Sequence, residues 1–407
     1  MENKKRTGAQ DAAKGIMIIM VILFHCYLMT FEVPDDALGK FNIVIAIVPF
    51  LLSSFFFYTG YNYVPNKRTF KENIARRAKQ LLIPLVFVFV IDVILLSSME
   101  LIFAHDNVGG TFKAIGNSIL FGLMSQPTAL LTGFPKEGGV LFSLVLGLGL
   151  LWFLYCLFIC SIFFYLLVNF TNKKATNLIS VVIVCLVGSF CLGEFVGVYL
   201  PYTVQCYPVV LAIMLTAAHL RQSRFLNKRI RSKKESILHC INALVAEGLI
   251  IGISLACHYH FGAVLTGSIP GGLFDASLRG FDAIIAYVFS IIGTYFIHTM
   301  CRLIKHVPFL GRGLQWIGNH SAIYYLLHPI FITLASIVFF QKKIMWGQAQ
   351  AFIFLVFTVA MLTLVCLLFD FFVKRKQIKL RMIEEIENNK DKEDNDDEQP
   401  QPEPDRA

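Results

Sequence analysis

Lys14 and His25 close the two ends of the stretch KGIMIIMVILFH, and almost nothing between them wants water. Eleven residues at about 100° each carry a helix three turns and about 20° further round, so both side chains share one face, roughly 16 Å apart along the axis. A cation at one end of such a face holds an anion such as a phosphate. An imidazole deeper inside takes a proton from a hydroxyl near neutral pH. The pair suits a ligand with an anionic head and a slender arm reaching inward. Each residue also has a structural explanation. Lys14 can be a topology anchor whose ammonium snorkels to the interface, and His25 can be bonded to a neighbouring helix. Ionisable groups inside a membrane are nonetheless functional candidates by default.

Other polar groups recur in apolar surroundings. Ser321, Tyr324 and His328 follow an i, i+3, i+7 pattern and form a polar stripe, which either lines the same cavity or bridges helices. Asp92 and Glu247 are candidates to orient His25, or else pair elsewhere. Trp152 is expected to pack or to wall a pathway. His258 and His260 offer two metal ligands without a third, and no CxxC motif exists. The ten cysteines are scattered through apolar segments and are expected to be small buried hydrophobes. Neither a disulfide nor a metal site is expected.

The elements that must position these groups are membrane helices. The chain has 407 residues, 56% hydrophobic and only 15% charged, with mean hydropathy +0.65; a soluble protein would carry about 25% charged residues. Apolar runs approach the roughly 20 residues that span a bilayer and lack the alternation of an outer-membrane barrel. The first run lacks a small-residue cleavage site and is expected to remain as a span. Ten spans are expected near 15–31, 42–62, 81–103, 140–169, 177–197, 203–220, 237–257, 281–301, 318–340 and 349–373. Segments that would lie on the side of the termini hold 27 Lys and Arg, the far C-terminal tail aside, against six on the other side. By the positive-inside rule both termini are cytoplasmic. The expected fold is therefore all-α, a polytopic helix bundle of about ten transmembrane helices. Residues 1–14 form a cytoplasmic start, 15–373 the membrane domain, and 374–407 a cytoplasmic tail, basic and then acidic, disordered at its end. The outer segment 104–139 includes an amphipathic stretch, and 258–280 is turn-rich. The net charge of +9 comes largely from these flanking basic residues and does not point to nucleic acid.

Lys14-x10-His25 resembles the basic-x10-His signature of the acyltransferase family 3 membrane proteins. FFFYTGY (Phe55–Tyr61) resembles that family's FFxxSGY segment, with Thr59 in place of the usual serine. RRAKQLLIP (Arg76–Pro84) is similar to its basic stretch before a proline that opens the third span, with Gln80 where arginine is common. LWFL (Leu151–Leu154) and IGNHSAIYYLLHPIF (Ile317–Phe331) resemble its later motifs. Lys14 stands where many members have arginine, which keeps the charge but loses the two-pronged donor.

The resemblance implies an O-acyltransferase. It would move an acyl group, acetyl first among them, from cytoplasmic acyl-CoA to a hydroxyl of a cell-envelope saccharide or lipid-linked glycan, in a bacterial plasma membrane. His25 would be the catalytic residue, as general base or as a nucleophile forming an acyl-imidazole. Lys14, Arg76, Arg77 and after them Lys79 would gather the donor's phosphates. A polytopic transporter or flippase is the competing expectation, since buried His, Asp and Glu also suit a proton-coupled carrier. Membrane lipids are expected neighbours; oligomeric state is left open.

Overall fold

Long apolar runs without strand alternation can satisfy their backbone in lipid only as helices, and helices are what form. In the computed structural model the described residues are 8–30, 50–65, 67–103, 116, 119, 152–192, 201–227, 232–261, 280–340, 351–373 and 375. They form α1 (Gly8–Thr30), α2 (Leu51–Tyr61), α3 (Phe70–Phe103), α4 (Trp152–Thr171), α5 (Ala175–Cys191), a 3-10 turn (Pro201–Cys206), α6 (Tyr207–Gln222), α7 (Lys233–Phe261), α8 (Gly280–Ile304), α9 (Leu310–Asn319) and α10 (Ser321–Phe340). A last helix, α11, covers Ala351–Val373. No strand occurs among the described residues. By packing, the chain divides into a unit ending at Val359 and a shorter one from Ala360.

Seven of these helices, α1, α3, α4, α6, α7, α8 and α11, contain segments long and apolar enough to cross a bilayer, and α5 and part of α10 are shorter apolar helices. The chain is a multi-pass membrane protein. The exposed faces of α3 and α7 carry Ile83, Phe87, Leu244 and Leu249, the composition of surfaces that meet lipid tails. The amphipathic stretch expected in 104–139, the turn-rich segment after Phe261 and the far tail lie outside the described residues.

Two boundaries differ from expectation for a physical reason. The helix that carries the third span starts before the span expected from 81: α3 begins at Phe70, and Pro84 lies inside it. The start is set by a capping box, TFKE. The Glu72 carboxylate accepts from the Thr69 N–H at 2.8 Å, and the Thr69 hydroxyl accepts from the Glu72 N–H at 3.3 Å. The basic residues Arg76–Lys79 then ride on helical turns rather than in a loop. The helix expected over 318–340 is α10, which starts at Ser321 after a turn at His320; a separate short helix, α9, precedes it. His258 and His260 stand on the last turns of α7 rather than in a loop.

The core is organised around α1, which packs most extensively on α9 and also on α8, α10 and α2. Glycine makes the α1–α9 approach possible. A Cβ on Gly318 would lie 1.7 Å from the Asp11 carbonyl oxygen, and one on Gly15 would lie 2.2 Å from that of Leu314. Gly60 approaches the Met214 carbonyl on α6 in the same way, at 2.1 Å. These contacts are backbone against backbone, so no rotamer change relieves a side chain placed there. Gly318→Ala is expected to cost about 2 kcal/mol or more, read as a lowered melting temperature in detergent. Gly313→Ala on the exposed face of the same helix, where an added Cβ meets nothing within 4 Å, is expected to be neutral or stabilising by up to about 1 kcal/mol. Equal melting temperatures for the two variants would contradict the close α1–α9 approach.

Candidate active site

His25 is buried on α1, 5% exposed, and its ring meets His328 of α10, which is fully buried. His25 Nδ1 and His328 Nε2 are 3.1 Å apart, with ring centroids 5.0 Å apart. The geometry of His328 has a local origin. Pro329 follows it inside α10. Proline brings no N–H, so the carbonyl four residues back, that of Tyr325, loses its helical donor. His328 Nδ1 lies 2.6 Å from that oxygen. A carbonyl only accepts, so His328 Nδ1 carries the proton. In the neutral ring Nε2 is then bare and accepts from His25 Nδ1–H. His25 also hydrogen-bonds the Val21 carbonyl one turn back; with Nδ1 carrying the proton, Nε2 of the neutral ring is the unprotonated nitrogen.

Tyr325 connects this pair to a cavity. Its ring lies 5.1 Å from that of Phe153, and its hydroxyl hydrogen-bonds the Phe153 backbone in the first turn of α4, where N–H groups have no helical partner. Tyr325, Phe153, Tyr58 and Phe55 line the inner part of a cavity of about 380 Å³. Lys14, Lys67, Arg68, Arg76 and Arg77 line it too, and among the described residues no carboxylate does. Arg77 Nε donates to the Tyr165 hydroxyl at 3.1 Å, which aims the guanidinium along the wall. Tyr63 packs 5.8 Å from Tyr165 between ring centroids. Burial raises the Tyr63 phenol above its ordinary pKa, and Tyr165 beside it adds to the shift, so this hydroxyl is neutral. Behind the wall the Tyr58 hydroxyl lies 3.3 Å from Nδ1 of the buried His298.

The residues singled out in the sequence separate accordingly. Lys14, Arg76, Arg77 and Ser321 share the cavity. His25 and His328 meet beyond Tyr325. Tyr324 is fully buried and does not line the cavity. Glu247 lies on α7, which packs on α8, and is 7% exposed with neither carboxylate oxygen hydrogen-bonded; the Nδ1 partner of His25 is His328 instead. The side chains of Asp92 and Trp152 lie outside the described residues. No group of three metal-ligating side chains occurs among the described residues. Sequence reasoning missed Tyr325, Lys67 and Arg68. The signal for the histidine pair was the dipeptide His328-Pro329, since a proline frees a carbonyl at a known distance behind it.

A buried imidazole pair thus lies next to a cavity whose charged lining is cationic among the described residues, in a bundle of apolar helices. Residues 9–370 match the family model of an acyltransferase domain, acyltransferase family 3, and the chain belongs to that family. The protein is a membrane acyltransferase. No match is found among curated proteins or among solved structures.

Proposed function

We propose that the protein is an O-acyltransferase that takes an acyl group, acetyl first, from cytoplasmic acyl-CoA and places it on a hydroxyl of a cell-envelope saccharide or lipid-linked glycan. The observation that carries this reading is the hydrogen-bond chain His25–His328–Tyr325, which ends on the wall of a cavity holding Lys14, Arg76 and Arg77. The three cations hold the donor's phosphates, and its arm runs inward past Tyr58 and Phe153. His25 Nε2 removes the acceptor's hydroxyl proton. The hydroxyl oxygen attacks the thioester carbonyl, the C–S bond breaks, and the imidazolium returns its proton to the leaving thiolate. The acceptor arrives from the side opposite the cavity, in keeping with ten spans, both termini cytoplasmic, and a bacterial plasma membrane.

The test is release of free CoA thiol that depends on acceptor, which a carrier would not produce. Extracts of envelope glycans serve as the acceptor source, with mass spectrometry of the acylated product. In this assay Arg76→Ala/Arg77→Ala is expected to raise the KM for acyl-CoA about tenfold or more and to flatten its dependence on salt, because partly exposed charges are screened. An unchanged donor KM and salt dependence in a well-inserted double variant would remove both arginines from the site.

A further inference from the structure

We infer that Lys67 and Arg68 form a subsite for the 3′-phosphate on the adenosine end of the donor, an inference that rests on the acyl-CoA reading above. The cavity is polarised along its length. Tyr58, Phe153 and Tyr325 at one end are buried, whereas Lys67, Arg68 and Arg76 at the other are exposed. A donor with an uncharged thioester and a charged nucleotide therefore has one sensible direction, thioester inward. Its diphosphate carries two neighbouring anionic groups, and Lys14, Arg76 and Arg77 already match them. Lys67 and Arg68 are two further cations at the outer end, where this class of donor carries its remaining phosphate. Among the described residues no carboxylate lines the cavity beside them.

The segment bearing the two residues is held at both ends. On one side an Arg221 guanidinium N–H from the end of α6 donates to the Tyr63 carbonyl, and the Tyr63 N–H donates to the Gly60 carbonyl at 3.0 Å. On the other the Asn73 amide donates to the Arg68 carbonyl at 3.3 Å, and the capping box locks Thr69 to Glu72. These backbone anchors keep the two cations at the cavity edge before any ligand arrives, which lowers the entropy lost on binding. A topology anchor alone would need the charges but not this fixed placement.

The experiment compares CoA and 3′-dephospho-CoA by calorimetry, on the full chain in nanodiscs at low ionic strength, with no acceptor needed. CoA is expected to bind roughly tenfold tighter, the order of one charge-assisted contact. In Lys67→Gln/Arg68→Gln, whose side chains are exposed, that preference is expected to fall below about threefold, with the loss in Kd for CoA rather than for the dephospho compound. Equal binding of the two compounds by the wild-type protein leaves the donor reading standing and overturns the subsite, without recourse to any variant. A double variant that keeps the full preference overturns the assignment to these residues. Binding of neither compound sinks the donor reading on which the subsite rests.

Discussion

His25→Ala loses acyl transfer by roughly 10²–10⁴-fold, the usual worth of a positioned general base, while the protein remains inserted and binds CoA with little change in affinity. The expectation follows from the bonding pattern. His25 Nδ1 is engaged with His328, so Nε2 is the ring nitrogen left to accept a proton. Truncation also leaves a cavity in a packed region, so a second variant separates chemistry from packing. Glutamine at this position has similar reach, and its amide can donate to His328 Nε2, but it is no base at neutral pH. His25→Gln should therefore keep the melting temperature in detergent near wild type and still lose transfer. A packing role predicts the opposite, with activity recovering as stability does. If His25 is instead acylated during the reaction, labelled acyl-CoA without acceptor should leave label on the wild-type protein and none on either variant. At the other end of the same helix face, Lys14→Arg should retain most activity, and Lys14→Ala should raise donor KM more than it lowers kcat. Wild-type turnover by a well-inserted His25→Gln protein would end the proposed mechanism.

His328→Ala is expected to lower kcat by about 10-fold or more, at least the loss that follows removal of a hydrogen-bond partner fixing the tautomer of a ligand histidine, with donor KM nearly unchanged. His328 does not line the cavity and bonds His25 Nδ1, so its effect should pass through the tautomer and orientation of that imidazole. Glutamine again discriminates. His328→Gln restores an acceptor for His25 Nδ1–H, so it should recover much of what alanine loses, whereas a purely steric role gives no such rescue. Pro329→Ala should fall between His328→Ala and wild type. It supplies an N–H that competes for the Tyr325 carbonyl, but a carbonyl has two lone pairs and can serve both donors. A donor KM that rises along with the loss of kcat in His328→Ala would place His328 in ligand binding instead.

Much of the site was legible because it is local. The common face of Lys14 and His25 follows from helical periodicity, and the basic run Lys67–Lys79 follows from the topology of charge. The capping box that begins α3 is also written in four consecutive residues, TFKE, so the helix starts eleven residues before the span expected from 81. An apolar composition and repeated long runs were enough for the all-helical, multi-pass class, since a lipid environment leaves the backbone few alternatives.

What the sequence left open was which helix faces meet. In a soluble helix the apolar face marks the core, but in lipid both the buried and the outer faces are apolar, so hydrophobic periodicity says little about neighbours. On the sequence alone Glu247 and Asp92 were candidates to orient His25, or else to pair elsewhere. The tertiary structure places His328 against its Nδ1, from 303 residues away in the chain. It does so because Gly15 and Gly318 let the backbones of α1 and α9 touch, and α10 follows α9 after one short turn. Those glycines, the carbonyl freed by Pro329 and the convergence of Lys14 with Arg76 and Arg77 acquire meaning only when α1, α3, α9 and α10 are packed together. Periodicity reports which way a side chain points from its own axis; only packing decides what it points at.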